Sequence, residues 1–211
     1  MLKLKNKLQY AIDLGVDFLL RNTDDDGNIL NEQDLHKHCL ATLCLVENPR
    51  NEQKKVDNAL RKIAKNTYSK NNSFFILNAK KEIDNSLTAI AALTFLSVPN
   101  LLWGERYLNF LIQQNFQDDY SVKSFTKMHN LTKDKKWLDG TKNYIQKTDD
   151  LITLKIEEIE KLSYELMLTQ QDGTDSVLAG AFYDEEGNVR IDLSYKNIGT
   201  FKKIFCIIEN E

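Results

Sequence analysis

Residues 68–100 read YSKNNSFFILNAKKEIDN followed by SLTAIAALTFLSVPN. From Ser86 to Val98 no side chain carries a charge, so a helix there is apolar nearly all round and needs neighbours on most sides. Ile83-Asp84-Asn85-Ser86 opens that helix: the Ile can pack as a staple before the first turn, and Asp or Ser can cap it. The same order of helix, acidic break and alanine-rich apolar helix recurs on both sides. It runs as AIDLGVDFLLRN, TDDDGNI and HCLATLCLVEN over 11–48. It runs again from YELMLTQQ at 164 to YKNIGTFKKIFCIIEN at 210, where Ile191-Asp192-Leu193-Ser194 repeats the staple and cap. Three such phrases predict stacked helical hairpins.

Outer and inner characters alternate along the chain. Leu4, Leu8, Ala11, Ile12, Gly15, Phe18 and Leu19 form one apolar stripe on an outer, half-solvated helix, and the turn-formers from Asn22 to Asn28 end it. Asp34–Glu47 is uncharged from Cys39 to Val46 and is expected to be enclosed. Residues 51–68 are amphipathic, with Val56, Leu60, Ile63 and Ala64 inward. Residues 102–116, 137–148 and 156–169 follow the same pattern; 122–131 is a short inner segment, and 198–208 closes the chain. About nine helices result. The best candidate for β structure is a minor ribbon over 181–193, around Tyr183-Asp184-Glu185-Glu186-Gly187-Asn188-Val189.

A chain of 211 residues that is 42% hydrophobic can bury one substantial core, so a single domain over 1–211 is expected. Net charge is −3 and the lysines fall in scattered pairs, which argues against a nucleic-acid groove. Cys39, Cys44 and Cys206 sit in apolar runs without framework spacing, as buried reduced thiols of a reducing compartment do. Asp13 and Asp17 interrupt the first apolar run, which excludes a signal peptide, and no uncharged stretch approaches a membrane span. A cytoplasmic protein without membrane contact is expected.

FLLRNTDDDGN (18–28), SLTAIAALTFLSV (86–98) and NLTKDKKWLDGTKNYI (130–145) resemble the helical hairpins of the α/α-toroid superfamily. Six-hairpin glycosidases, sugar epimerases and lyases, and terpenoid cyclases share that barrel. The resemblance implies an all-α fold, an incomplete or compact α/α-toroid, whose ring a second copy of the chain could close. A superhelical solenoid is the structural alternative. The Gln and Trp of the cyclase repeat are missing around Thr23, Gly27 and Ile29, and Thr23 stands where the cyclase acid motif needs Asp.

In a toroid, the loops entering inner helices share one rim. Asp24–Asp26, Asp34, Asp84, Asp118, Asp119, Tyr120, Tyr183 and Asp192 would line it, beside helix N-termini that favour anionic or hydroxyl-rich ligands. The resemblance implies a carbohydrate-active or carbohydrate-binding protein acting there. Asp84 and Asp192 are its candidate acid and base, His38 a proton shuttle, and Tyr120, Tyr183 and Phe75 the saccharide contacts. Each Asp has an ordinary alternative as a helix cap or turn residue.

His36 and His38 are two apart and diverge on a helix, so no metal site is expected there, and no cofactor. Residues 22–29 match the opening of a calcium loop, but Gln33 stands where the closing Glu should be. There is no phosphate loop, nucleophile elbow or dinucleotide fingerprint. The alternative function is a non-catalytic helical module that binds a protein partner.

Overall fold

The computed structural model describes residues 2–30, 32–139, 141, 180–182, 189, 198–199 and 201–202. Among these lie seven helices and one two-stranded hairpin: α1 (Leu2–Arg21), α2 (Leu35–Glu47), α3 (Gln53–Lys65), β1 (Thr67–Lys70), β2 (Ser73–Ile76), α4 (Asn85–Ser97), α5 (Leu101–Gln113), α6 (Asp119–Thr132) and α7 (Lys136–Asp139). The fold is mostly helical, as the hydrophobic periodicity predicts. The expected helix over 156–169 lies outside the described residues. So do most of those over 137–148 and 198–208, and most of the ribbon over 181–193.

The chain divides into two compact units, Met1–Ala59 with Leu154–Glu211, and Leu60–Thr153. In the first, α1 buries Leu8, Ala11, Ile12, Phe18 and Leu19 of the stripe read from the sequence, and Val16 and Leu20 beside them. Every residue of α2 from His38 to Leu45 is buried, as expected of a segment with no charged face. Each fully buried leucine there contributes roughly 1.5–3 kcal/mol. Asn22 and Thr23 end α1 by turning their side chains back onto the carbonyls of Phe18 and Leu19. Thr23 then bridges to Ile29, and the loop bends at Gly27, whose φ is +84°. A Cβ at Gly27 would run into the backbone of Asn58 and Ala59, so only glycine lets the loop lie against α3.

The second unit is built on α4. Its ten residues from Leu87 to Leu96 are all buried. The helix α5 returns beside it at close range: a Cβ on Gly104 would strike the Leu96 side chain. Ser86 on α4 donates to Asp118, the N-cap of α6, at 2.9 Å, and Ser124 on α6 donates to the Ala89 carbonyl at 3.2 Å. The two helices therefore run parallel, with their N-termini side by side. The enclosed α4 and the half-solvated α5 are as expected, whereas α6 buries only Ser121, Ser124, Phe125 and Met128 and is a second amphipathic helix rather than an inner segment, because polar residues occupy the rest of its surface; a toroid arrangement is not established by these contacts.

Two boundaries differ from the expectation. The amphipathic run expected to reach Tyr68 stops at Lys65, and a β-hairpin follows. Asn71 and Asn72 both have positive φ, 50° and 61°, the geometry of a two-residue type I′ turn. The hairpin packs Phe74 against Trp103 and Tyr107, at 4.7 and 5.6 Å between ring centres. The inner segment expected over 122–131 begins earlier, because Asp118 and Ser121 form a reciprocal capping box that starts α6 at Asp119.

Candidate functional site

Among the described residues, Asp24, Asp34, Asp84 and Asp118 resolve into helix starts and turns. Asp84 is the N-cap of α4, its Oδ1 accepting from the Leu87 N–H at 2.9 Å. Its own N–H donates to the Ile76 carbonyl, so the strand that carries Phe75 ends at the same helix start. Asp118 caps α6: one oxygen accepts from the Ser121 N–H at 2.7 Å and the other from the Ser86 hydroxyl at 2.9 Å. In the first unit Asp34 caps α2 through the His36 N–H. Asp24 accepts from the Asp26 and Asn28 N–H groups and from the Asn28 side-chain amide. These bonds, led by the Asn28 amide, hold the Asp24 carboxyl below its ordinary value.

Tyr120 is the second residue of α6, half-buried. Burial first, then the neighbouring charges of Asp118 and Asp119, push its phenol upward, so it stays a hydrogen-bond donor at neutral pH. Within the second unit the structure thus brings together Asp84, Ser86, Asp118 and Tyr120 at two adjacent helix N-termini. Ser86 was not among the sequence candidates. Its small hydroxyl at the second helical position reads as part of a cap unless the partner helix is known.

His38 is fully buried, with Nε2 3.2 Å from the Ala59 carbonyl and 3.4 Å from the Thr42 hydroxyl. It belongs to the interior of the first unit, although a proton shuttle would stand at an accessible position. Phe75 is half-buried, stacked between Tyr68 at 6.0 Å and Phe110 at 5.0 Å. Tyr183 and Asp192 lie outside the described residues. The Cys44 thiol is pushed up to about 12, chiefly by burial, which leaves it protonated and unfit as a nucleophile.

Among the described residues no three His, Cys, Asp or Glu side chains gather as a metal-ligand set. No described helix is long and apolar enough to cross a membrane. A pocket of about 270 Å³ opens between α5 and α6, lined by Leu111, Ile112, Asn115, Phe116, Phe125 and Lys136 among others. Its one cation is already within reach of Glu105 and Asp134, at 3.4 and 3.5 Å. The pocket offers apolar surface and amides rather than a carboxylate pair.

No family model, curated protein or solved structure matches this chain. The functional reading rests on geometry.

Proposed function

We propose that this chain is a non-catalytic helical module that binds a protein partner through its second unit. One observation carries the reading. Of the large apolar side chains left in solvent among the described residues, Tyr68, Ile83, Leu101, Leu102, Ile112 and Leu131 belong to the second unit, and Tyr10 alone to the first. Leu102, 58% exposed, stands on the first turn of α5. Scattered apolar exposure is ordinary, but Leu101 and Leu102 stand side by side at the start of α5, 40% and 58% exposed, where a partner could cover both. The commitment of Asp84 and Asp118 to capping supports the same reading, since a carboxylate holding a helix start is poorly placed to exchange protons with a substrate.

A photo-reactive phenylalanine analogue installed at Leu102, and separately at Tyr10, tests the proposal in extract of the source cells. An adduct to one defined protein at position 102, absent at position 10 and reproduced with the purified partner at 1:1 stoichiometry, is the expected result. Equal labelling at both positions, or labelling at neither, contradicts it.

A saccharide-directed reading has its own support in the meeting of Asp84, Ser86, Asp118 and Tyr120 at paired helix N-termini. Hydroxyl-rich ligands suit such a place, because N–H groups and the positive ends of two helix dipoles face it. On that reading the ligand is bound, with Tyr120 donating to a sugar hydroxyl.

A further inference from the structure

The β-hairpin has an edge that the second unit leaves open. In a two-residue type I′ hairpin the residues flanking the turn form the hydrogen-bonded pair, here Lys70 with Ser73. The next pair, Ser69 with Phe74, is non-hydrogen-bonded, so the Ser69 N–H and C=O point away from β2. The following pair, Tyr68 with Phe75, bonds inward again.

On β2 the outward groups of Ile76 are covered: its N–H donates to the Thr88 hydroxyl at 3.1 Å, and its carbonyl accepts from the Asp84 N–H at 2.9 Å. Those of β1 face solvent, for Tyr68, Ser69 and Lys70 are all exposed, Tyr68 to 51%. An open edge strand is a template for a further strand.

Charge says what kind of strand. From Asn58 to Lys81 the chain carries Arg61, Lys62, Lys65, Lys70, Lys80 and Lys81 and no Asp or Glu at all, although the whole protein has a net charge of −3. Lys70 lies on β1 itself, and Lys65 is the last residue of α3, two positions before the strand; both are exposed. Lys70 shares the face of β1 that carries Tyr68, so an added strand would meet a cation and an aromatic ring on one side.

We propose that β1 captures an extended acidic peptide segment of a partner protein by strand addition, with main-chain hydrogen bonds at Ser69 and carboxylates set against Lys70 and Lys65. This names the partner chemistry of the binding function proposed above and rests on it. The outward N–H and C=O of Ser69 favour a peptide over single-stranded nucleic acid, which has no strand backbone to pair with them.

A fluorescein-labelled peptide of sequence Glu-Val-Glu-Val-Glu-Val-Glu, titrated against the full chain and followed by anisotropy, tests the proposal. Binding is expected to weaken as salt is raised and to fall about tenfold in the double variant Lys65→Glu, Lys70→Glu. Ser69→Pro is expected to abolish it without disturbing the hairpin, because the lost N–H is not part of the ladder; an unchanged melting temperature checks that. The same peptide N-methylated on alternate residues removes strand donors from the ligand instead and needs no change to the protein.

Equal affinity for the N-methylated peptide, or for oligothymidylate of matching charge, overturns strand addition, as does a failure of the unmodified peptide to bind. If the cross-link at Leu102 forms while the peptide result is negative, only this inference falls. If neither appears, the binding function falls with it.

Discussion

Gly27 shows how much a single residue decides in the first unit. Its φ of +84° is open to glycine and costly for any other residue, and a Cβ there would overlap the backbone of Asn58 and Ala59. Backbone cannot yield as a side-chain tip can, so strain and overlap add. Gly27→Ala is expected to cost about 2–4 kcal/mol of unfolding free energy, measured by urea denaturation. The sequence marked this place as a turn, since every residue of Asp24-Asp25-Asp26-Gly27-Asn28 is a turn-former. What it could not show was the job of Asp24. The spacing of acids suggested an ion, whereas the folded loop closes the Asp24 carboxylate on its own amides. His38 followed the same course: a polar residue at the start of an apolar helix looks accessible until the carbonyl that it meets, Ala59, is placed by the fold.

At the scale of elements, α1 to α5 were legible from apolar residues recurring over several turns. The uncharged runs of α2 and α4 needed no tertiary information to be placed inside. The hairpin was harder. Each strand has only four residues, too few for alternation to stand out, and the helical period of Val56, Leu60 and Ile63 runs smoothly toward Tyr68. The signal was the Asn71-Asn72 pair, whose two side chains tolerate the left-handed conformation that a type I′ turn demands at both positions. Glycine accepts the second of these positions with less strain. Asn72→Gly is therefore expected to stabilise the second unit by about 0.5 kcal/mol, seen as a higher denaturation midpoint at an unchanged slope. A fall in stability would mean that the Asn72 side chain holds the turn in some other way.

At the scale of the whole molecule, the repeated phrase of helix, break and apolar helix has two meanings that separate in the structure. Its apolar helices are α2 and α4, buried as their uncharged runs predict, while the pairing of α4 with α6 appears only in the structure. Of its described acidic breaks, the first is the turn after α1 and the second ends on Asp84, the N-cap of α4. Recurrence of that kind imitates a catalytic rim, because caps and catalytic acids alike favour Asp at the entrance to a helix. Sequence cannot separate the two, since the difference lies in which donor each oxygen meets, and Ser86, Ser121 and Leu87 supply those donors only once the chain has folded.

Asp84 offers the most direct test. Asparagine caps a helix about as well as aspartate, and alanine does not. The measurement is hydrolysis of a polysaccharide panel by wild type and Asp84→Asn, run beside thermal melts that include Asp84→Ala. The account predicts no turnover by either protein, a melt for Asp84→Asn that coincides with wild type, and a loss of about 1 kcal/mol for Asp84→Ala. Saccharide hydrolysis by the wild type that vanishes in Asp84→Asn at unchanged stability would contradict it.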